Sequence, residues 1–194
     1  NSVTTAEDVT DERSARQILL SLCETVGIRL RTDHRKAGAV SVGMRTGNFE
    51  NSSRQMQLDS ATDVTEELFR AACTLLMRMW DGHKPLRLLN VTATRLTEEE
   101  YRQYSLFDRV DYEKLEKADR AMDSIRSRFG EDAVMRASFL KSKVSPTGGG
   151  LNREKRKERM NEGRVEKEEE MENGKNGDFF AENVAARGGA EGNL

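Results

Sequence analysis

Cysteine, histidine, proline and tryptophan are all scarce in this chain of 194 residues, which has two each of the first three and a single tryptophan. Cys23 and Cys73 stand far apart, both on apolar faces of predicted helices. They read as reduced core thiols of a cytosolic protein, which excludes a disulfide framework or a cysteine metal site. His34 and His83 fall in predicted loops without cysteine or carboxylate at a ligand-like spacing, so neither suggests a metal. No apolar run approaches the ~20 residues needed to cross a bilayer, and the first residues lack a basic-then-apolar signal pattern. No membrane partner is expected. Neither sign of charge dominates: 32 Lys and Arg face 34 Asp and Glu, for a formal net charge of -2. That balance argues against a wholly basic nucleic-acid coat but leaves room for one basic or polar face. Gly148-Gly149-Gly150 has no Lys-Ser/Thr after it and reads as linker, not as a phosphate loop.

At 36% hydrophobic and 34% charged residues, the chain is too polar for all of it to enter one core. The excess polarity lies mostly beyond Lys141. Ser2-Val3-Thr4-Thr5 is β-prone but begins abruptly, as a piece cut from something longer would. A helix is predicted from about Asp11 with Thr10 as N-cap, and Leu19, Leu22, Cys23, Val26 and Leu30 recur on it at helical spacing. Ala39 to Arg45 alternates strictly: Val40, Val42 and Met44 point one way, Ser41, Gly43 and Arg45 the other. Thr46-Gly47-Asn48 supplies a turn, and Ser53 to Leu58 forms a third strand. A second helix starts near Thr65 with Glu66 and Glu67 in its first turn, and Leu68, Ala72, Leu75, Leu76 and Met79 form its stripe. Phe69, Cys73 and Trp80 widen that stripe and read as core. The fourth strand, Leu88 to Thr94, puts Leu89, Val91 and Ala93 on one face and Asn90, Thr92 and Thr94 on the other.

The predicted fold is therefore α+β: a βαββαβ unit with a four-stranded antiparallel sheet and both helices on one face, as in ferredoxin-like folds. The other face carries Thr4, Ser41, Arg45, Ser53, Gln55, Gln57, Thr92 and Thr94, nearly free of bulky apolar groups. Two readings stay open for it. Such a face is either simply solvated or a flat array of hydroxyls, amides and cations suited to a phosphate backbone. A βαββαβ RNA-binding module would need exposed aromatics on the central strands, where Ser41, Gly43, Ser53 and Gln55 stand instead.

The chain divides into a domain over 1–96, an acidic linker over 97–111, an amphipathic helix with a short extension over 112–140, and a charged, disordered tail over 141–194. The third helix, Tyr112 to Phe129, carries a narrow stripe of Leu115, Ala118, Met122, Ile125 and Phe129 and is stopped by Gly130. The linker holds Gln103-Tyr104-Ser105-Leu106-Phe107. Linkers usually omit Leu and Phe, so the adjacent pair is expected to be buried by something else: by a partner, or by folding back onto the helix over 112–129.

Four separated motifs, in order over about residues 1–140, resemble the C-terminal part of Y-family DNA polymerases of the DNA polymerase IV type. Arg45-Thr46-Gly47-Asn48-Phe49 through Ser53-Arg54-Gln55 is similar to the β-hairpin of their little-finger domain. Trp80 through Val91 resembles its helix-to-strand passage, and Gln103 to Phe107 falls where that branch carries its sliding-clamp peptide, Gln-x-x-Leu-Phe. Phe129-Gly130-Glu131-Asp132 through Arg136-Ala137-Ser138 resembles the segment beyond. The resemblance implies translesion synthesis, with template-primer DNA gripped by Ser53, Arg54 and Gln55, by Arg45 on the preceding strand, and by Thr4, Ser41, Thr92 and Thr94 on the same face. Arg54 has the wrong parity for that face unless the strand begins or bulges near Ser53. In the peptide, Leu106 and Phe107 would anchor on the bacterial sliding clamp and Gln103 would latch, with Ser105 between and Tyr104 where Leu is common. The palm, fingers and thumb would be missing partners. The resemblance places magnesium on palm carboxylates, so no cofactor, no catalytic residue and no polymerase activity is expected of this chain alone. The alternative is a stand-alone, non-enzymatic clamp-binding adaptor.

Overall fold

The alternation at Val40, Val42 and Met44 is realised in the second strand, where all three side chains are buried. The structure is a computed structural model that describes residues 1–98, 111–140, 142 and 144–147. The element order is β1 (Ser2–Val9), α1 (Glu12–Thr32), β2 (Lys36–Thr46), β3 (Asn51–Thr62), α2 (Thr65–Met77), β4 (Leu86–Thr97) and α3 (Tyr112–Phe129). Two short 3-10 turns follow, Glu131–Ala133 and Ala137–Phe139. The strands pair throughout as antiparallel neighbours in the order β1-β4-β2-β3. β1 and β2 thus run one way, β3 and β4 the other, and each helix links two strands of like direction across an intervening one. The α+β class and βαββαβ order are as anticipated, and every strand is longer than its sequence signal.

The core fills the space between one sheet face and α1 with α2. Val40, Val42, Leu89 and Val91 meet Leu19, Leu22, Leu68, Leu75 and Leu76, each at most 1% exposed. Burying side chains of this size stabilises by roughly 1.5–3 kcal/mol apiece. Trp80 belongs to the same cluster, and its indole N–H donates to the Lys84 carbonyl at 2.7 Å, pinning the passage from α2 into β4. Cys23 and Cys73 are free and buried. Burial pushes the Cys73 thiol up to about 11 and the Cys23 thiol well above its usual range, so both stay protonated.

Two details of the helices differ from expectation. Asp11, not Thr10, caps α1: its carboxylate accepts the Ser14 N–H at 2.8 Å, a bond that also lowers its pKa. Thr10 has no such bond because the helix begins one residue later. The second difference is α3, whose anticipated apolar stripe is mostly turned outward: Ile125 is 39% and Phe129 75% exposed. Asp119 and Arg126 are buried instead. Each is spoken for by α1 or by the segment after α3. Asp119 pairs with Arg31 and Arg136, and Arg126 and Arg136 both pair with Glu24, which is fully buried. Arg31 also holds Asp123 and the Asp63 carbonyl. Asp119 reaches further, accepting the Thr65 N–H at 2.8 Å. That bond caps α2, whose N-cap residue Val64 has no side-chain acceptor of its own.

The segment after α3 then straps the outer side of α1. Gln17 donates to the Ser138 carbonyl and accepts from the Ser142 hydroxyl, Ser21 donates to the Ser145 carbonyl, and Phe139 is buried. Helix α1 is consequently buried without interruption from Ile18 to Gly27, polar Ser21, Glu24 and Thr25 included. The layers are sheet, then α1 and α2, then α3 with its strap over α1. The opposite sheet face has no described helix on it.

Candidate nucleic-acid interface

Alternation turns every second residue of the strands away from the helices, and the register sets these residues in rows across the sheet. Ser2, Asn90, Gly43 and Ser53 make one row; Thr4, Leu88, Arg45 and Asn51 the next. On the other side lie Thr92, Ser41 and Gln55, then Thr94, Ala39 and Gln57. Thr4, Ser53, Gln55 and Thr92 are exposed, while Ser41, Arg45 and Thr94 are half-buried. Seven of the eight residues anticipated for this interface, all but Arg54, therefore share one face. Leu88, half-buried in the second row, is a bulky apolar group on this face; the strand reading began at Leu88 but assigned it to neither side.

Arg54 stands apart from them, as its parity implied. It pairs with Val42, whose side chain is in the core, and the β2–β3 register runs unbroken from Ala39 to Arg45. With no bulge near Ser53, a period of two carries Arg54 to the other side of the sheet from Ser53 and Gln55, and it is exposed there. The face keeps a polar floor nonetheless. The Arg45 Nε donates to Asn51 Oδ1 at 2.8 Å, which ties the guanidinium to its neighbour across the β2–β3 pair. Asn90 lies over Gly43, whose N–H donates to Asn90 Oδ1 at 3.0 Å. A Cβ at Gly43 would meet the Asn90 amide at 2.5 Å, so only glycine lets that amide lie flat there. These groups border a shallow hollow of about 440 Å³ lined by Ser2, Arg45, Ser53, Leu88 and Asn90 among others.

One cation of this interface was not foreseen. Arg95 belongs by parity to the helix side, but its φ of 52° takes it out of the extended conformation. Its Nη1 donates to Gln57 Oε1 at 2.7 Å, which draws the guanidinium toward the open side of β3. A left-handed arginine inside a strand has no local sequence signature. The one available hint was Gly38, where a Cβ would stand 3.0 Å from the Arg95 carbonyl oxygen. The peptide Gln103, Tyr104, Ser105, Leu106 and Phe107 lies outside the described residues.

At the rim of the face the β2–β3 turn is unusual. Phe49 N–H donates to Thr46 O at 2.9 Å, and Thr46 N–H to Glu50 O at 3.0 Å. Phe49 has a φ of 64° and its ring is left in solvent, with the Arg87 guanidinium over it at 5.1 Å from the centroid. Beside it Lys84 bonds Glu50 at 2.6 Å, which holds the ammonium pKa above its ordinary value.

The pattern of the impB/mucB/samB family C-terminal domain matches residues 1–106. The chain belongs to that family. Several curated relatives carry the name DNA polymerase IV. DNA polymerase IV of Clostridium acetobutylicum is 35% identical over 140 residues, covering 72% of this chain and 35% of that protein. DNA polymerase IV of Acetivibrio thermocellus is 34% identical over 155 residues, 79% of this chain and 37% of that protein. The chain thus spans about a third of the length of the curated relatives it matches. Among solved structures, a complex of the beta-clamp processivity factor and the little finger domain of PolIV aligns with 56% of this chain and 96% of its own, at 19% identity and a TM-score of 0.42.

Proposed function

We propose that this chain is the DNA-gripping and clamp-tethering region of a translesion, error-prone DNA polymerase, acting in damage bypass in the cytoplasm. The observation that carries the reading is the open sheet face, free of any described helix, on which Thr4, Ser41, Ser53, Gln55, Thr92 and Thr94 lie in successive rows with Arg45 in the row nearest the β2–β3 turn. Hydroxyls and amides on a flat surface donate to phosphate oxygens wherever a duplex presents them and read no base edge, so the grip is independent of sequence. A polymerase that crosses lesions needs that tolerance. Few cations take part, so affinity is modest and a second tether is required. Gln103 to Phe107 supplies it by docking Leu106 and Phe107 on a bacterial sliding clamp. Burying that pair is worth roughly 3–6 kcal/mol gross, and ordering the peptide costs on the order of 1–2 kcal/mol per residue. The net is small until both tethers engage one DNA molecule, when the second becomes effectively intramolecular. Catalysis, with its magnesium, belongs to the palm, fingers and thumb of the same polymerase.

Titration of primed duplex DNA with the full chain tests the grip. Arg45→Ala weakens binding and Arg54→Ala, on the other face, does not; the reverse order of effects rejects this face as the interface. Co-migration with a bacterial sliding clamp, lost in the Leu106→Ala/Phe107→Ala double variant, tests the tether.

A further inference from the structure

The turn between β2 and β3 places a bulky side chain where the backbone favours glycine. Its hydrogen bonds, Phe49 to Thr46 and Thr46 to Glu50, close a short loop that ends in a left-handed residue, a position made for glycine. A phenylalanine stands there, its backbone at φ 64° and its side chain 63% exposed. Packing does not account for it, because so exposed a ring contributes little to the core. Turn chemistry does not account for it either, because Gly or Asn would be less strained. Local conflicts of this kind, held in place by a well-determined surrounding, mark functional positions. A second observation concerns the ring itself: the Arg87 guanidinium lies over it at 5.1 Å from the centroid, and Phe49 still remains 63% exposed.

We propose that Phe49, braced by Arg87, is a stacking platform for an unpaired nucleobase at the rim of the open face. This rests on the reading of that face as the duplex interface. Arg45 and Asn51 flank the turn and belong to the open face, so a strand leaving the duplex at this end passes the exposed ring. A paired base has both of its faces covered by neighbours, whereas an unpaired base offers a free one. An aromatic ring accepts any base in this way, so the platform is indifferent to sequence, as the hydroxyl face is. Together they recognise a junction: duplex on the sheet, single strand at the turn.

Fluorescence titration of the full chain against two probes tests this. One is a blunt duplex; the other is the same duplex with a single-stranded template overhang whose first unpaired base is aminopurine. The parent chain prefers the overhang and quenches the aminopurine. Phe49→Gly, which suits the turn, abolishes quenching and lowers overhang affinity about tenfold, while blunt-duplex affinity is unchanged. Phe49→Trp retains both preference and quenching. Parent-like overhang binding and quenching by Phe49→Gly overturns the platform alone, as does an equal loss on both probes, which marks a structural role. Failure of the parent chain to bind even the blunt duplex overturns the reading of the open face, and the platform with it.

Discussion

At Phe49 the backbone and the side chain pull in opposite directions, and the balance can be weighed. A left-handed conformation costs an L-residue roughly 1–2 kcal/mol, and a cation over an exposed ring returns about 0.5–1 kcal/mol. Glycine relieves the strain but widens the unfolded ensemble, at a cost of about 0.4–1 kcal/mol. Phe49→Ala keeps the strain and loses the ring. Urea denaturation is therefore expected to rank Phe49→Gly about 1 kcal/mol above Phe49→Ala; the opposite ranking would mean that the turn does not impose φ 64°. Asp11 is a second residue-scale case. Its carboxylate caps α1 through the Ser14 N–H, and that bond lowers its pKa from 3.8. Asp11→Ala is expected to cost about 1 kcal/mol at neutral pH. A depressed carboxylate stabilises the fold above its unfolded pKa and loses that contribution as pH falls through the folded one. The deficit of the variant therefore shrinks below about pH 4, which paired melts at neutral and acid pH would reveal.

Among the elements, α3 is the one whose attachment contradicts its pattern. Its apolar stripe predicts packing through Ile125 and Phe129, yet the buried contacts are Asp119 with Arg31 and Arg136, and Arg126 with Glu24. A buried charge that loses its partner typically costs 3–5 kcal/mol, here about that for Glu24→Ala, which leaves Arg126 and Arg136 facing each other. Asp119→Ala should fall in the same range of about 3–5 kcal/mol, because it takes one carboxylate from both Arg31 and Arg136 and also uncaps α2 at Thr65. Denaturation of both variants checks this, and a cost under 1 kcal/mol for each would mean that solvent reaches the network. Pattern reading worked where period and burial coincide. Val40, Val42, Leu89 and Val91 were assigned to the core by alternation alone, and the open face followed by exclusion. It failed where burial is electrostatic, because Asp119 and Glu24 look like any other solvent-facing acid in a charged helix. Nor could it order the strands: β4 lies between β1 and β2 because of long-range pairing that no local signal carries.

For the molecule as a whole, the two weak grips proposed above, joined by chain connectivity, are compatible with the near-neutral charge. A protein that held DNA by cations alone would need a strong basic excess, and this one has 32 basic and 34 acidic residues. Its open face carries Arg45, supplemented by Arg95 toward one end, so salt should weaken binding only gently. Each neutralised phosphate contributes a slope of about -0.9 in log affinity against log salt, and two or three contacts give roughly -2 to -3. The most direct measurement is that slope, taken on primed duplex DNA for the parent chain and for Arg45→Ala. The account predicts a shallow parent slope that loses about one phosphate's share, ~0.9, in the variant, with Arg54→Ala matching the parent. A slope and affinity unmoved by Arg45→Ala but reduced by Arg54→Ala would put the DNA on the helix side of β3 and contradict it.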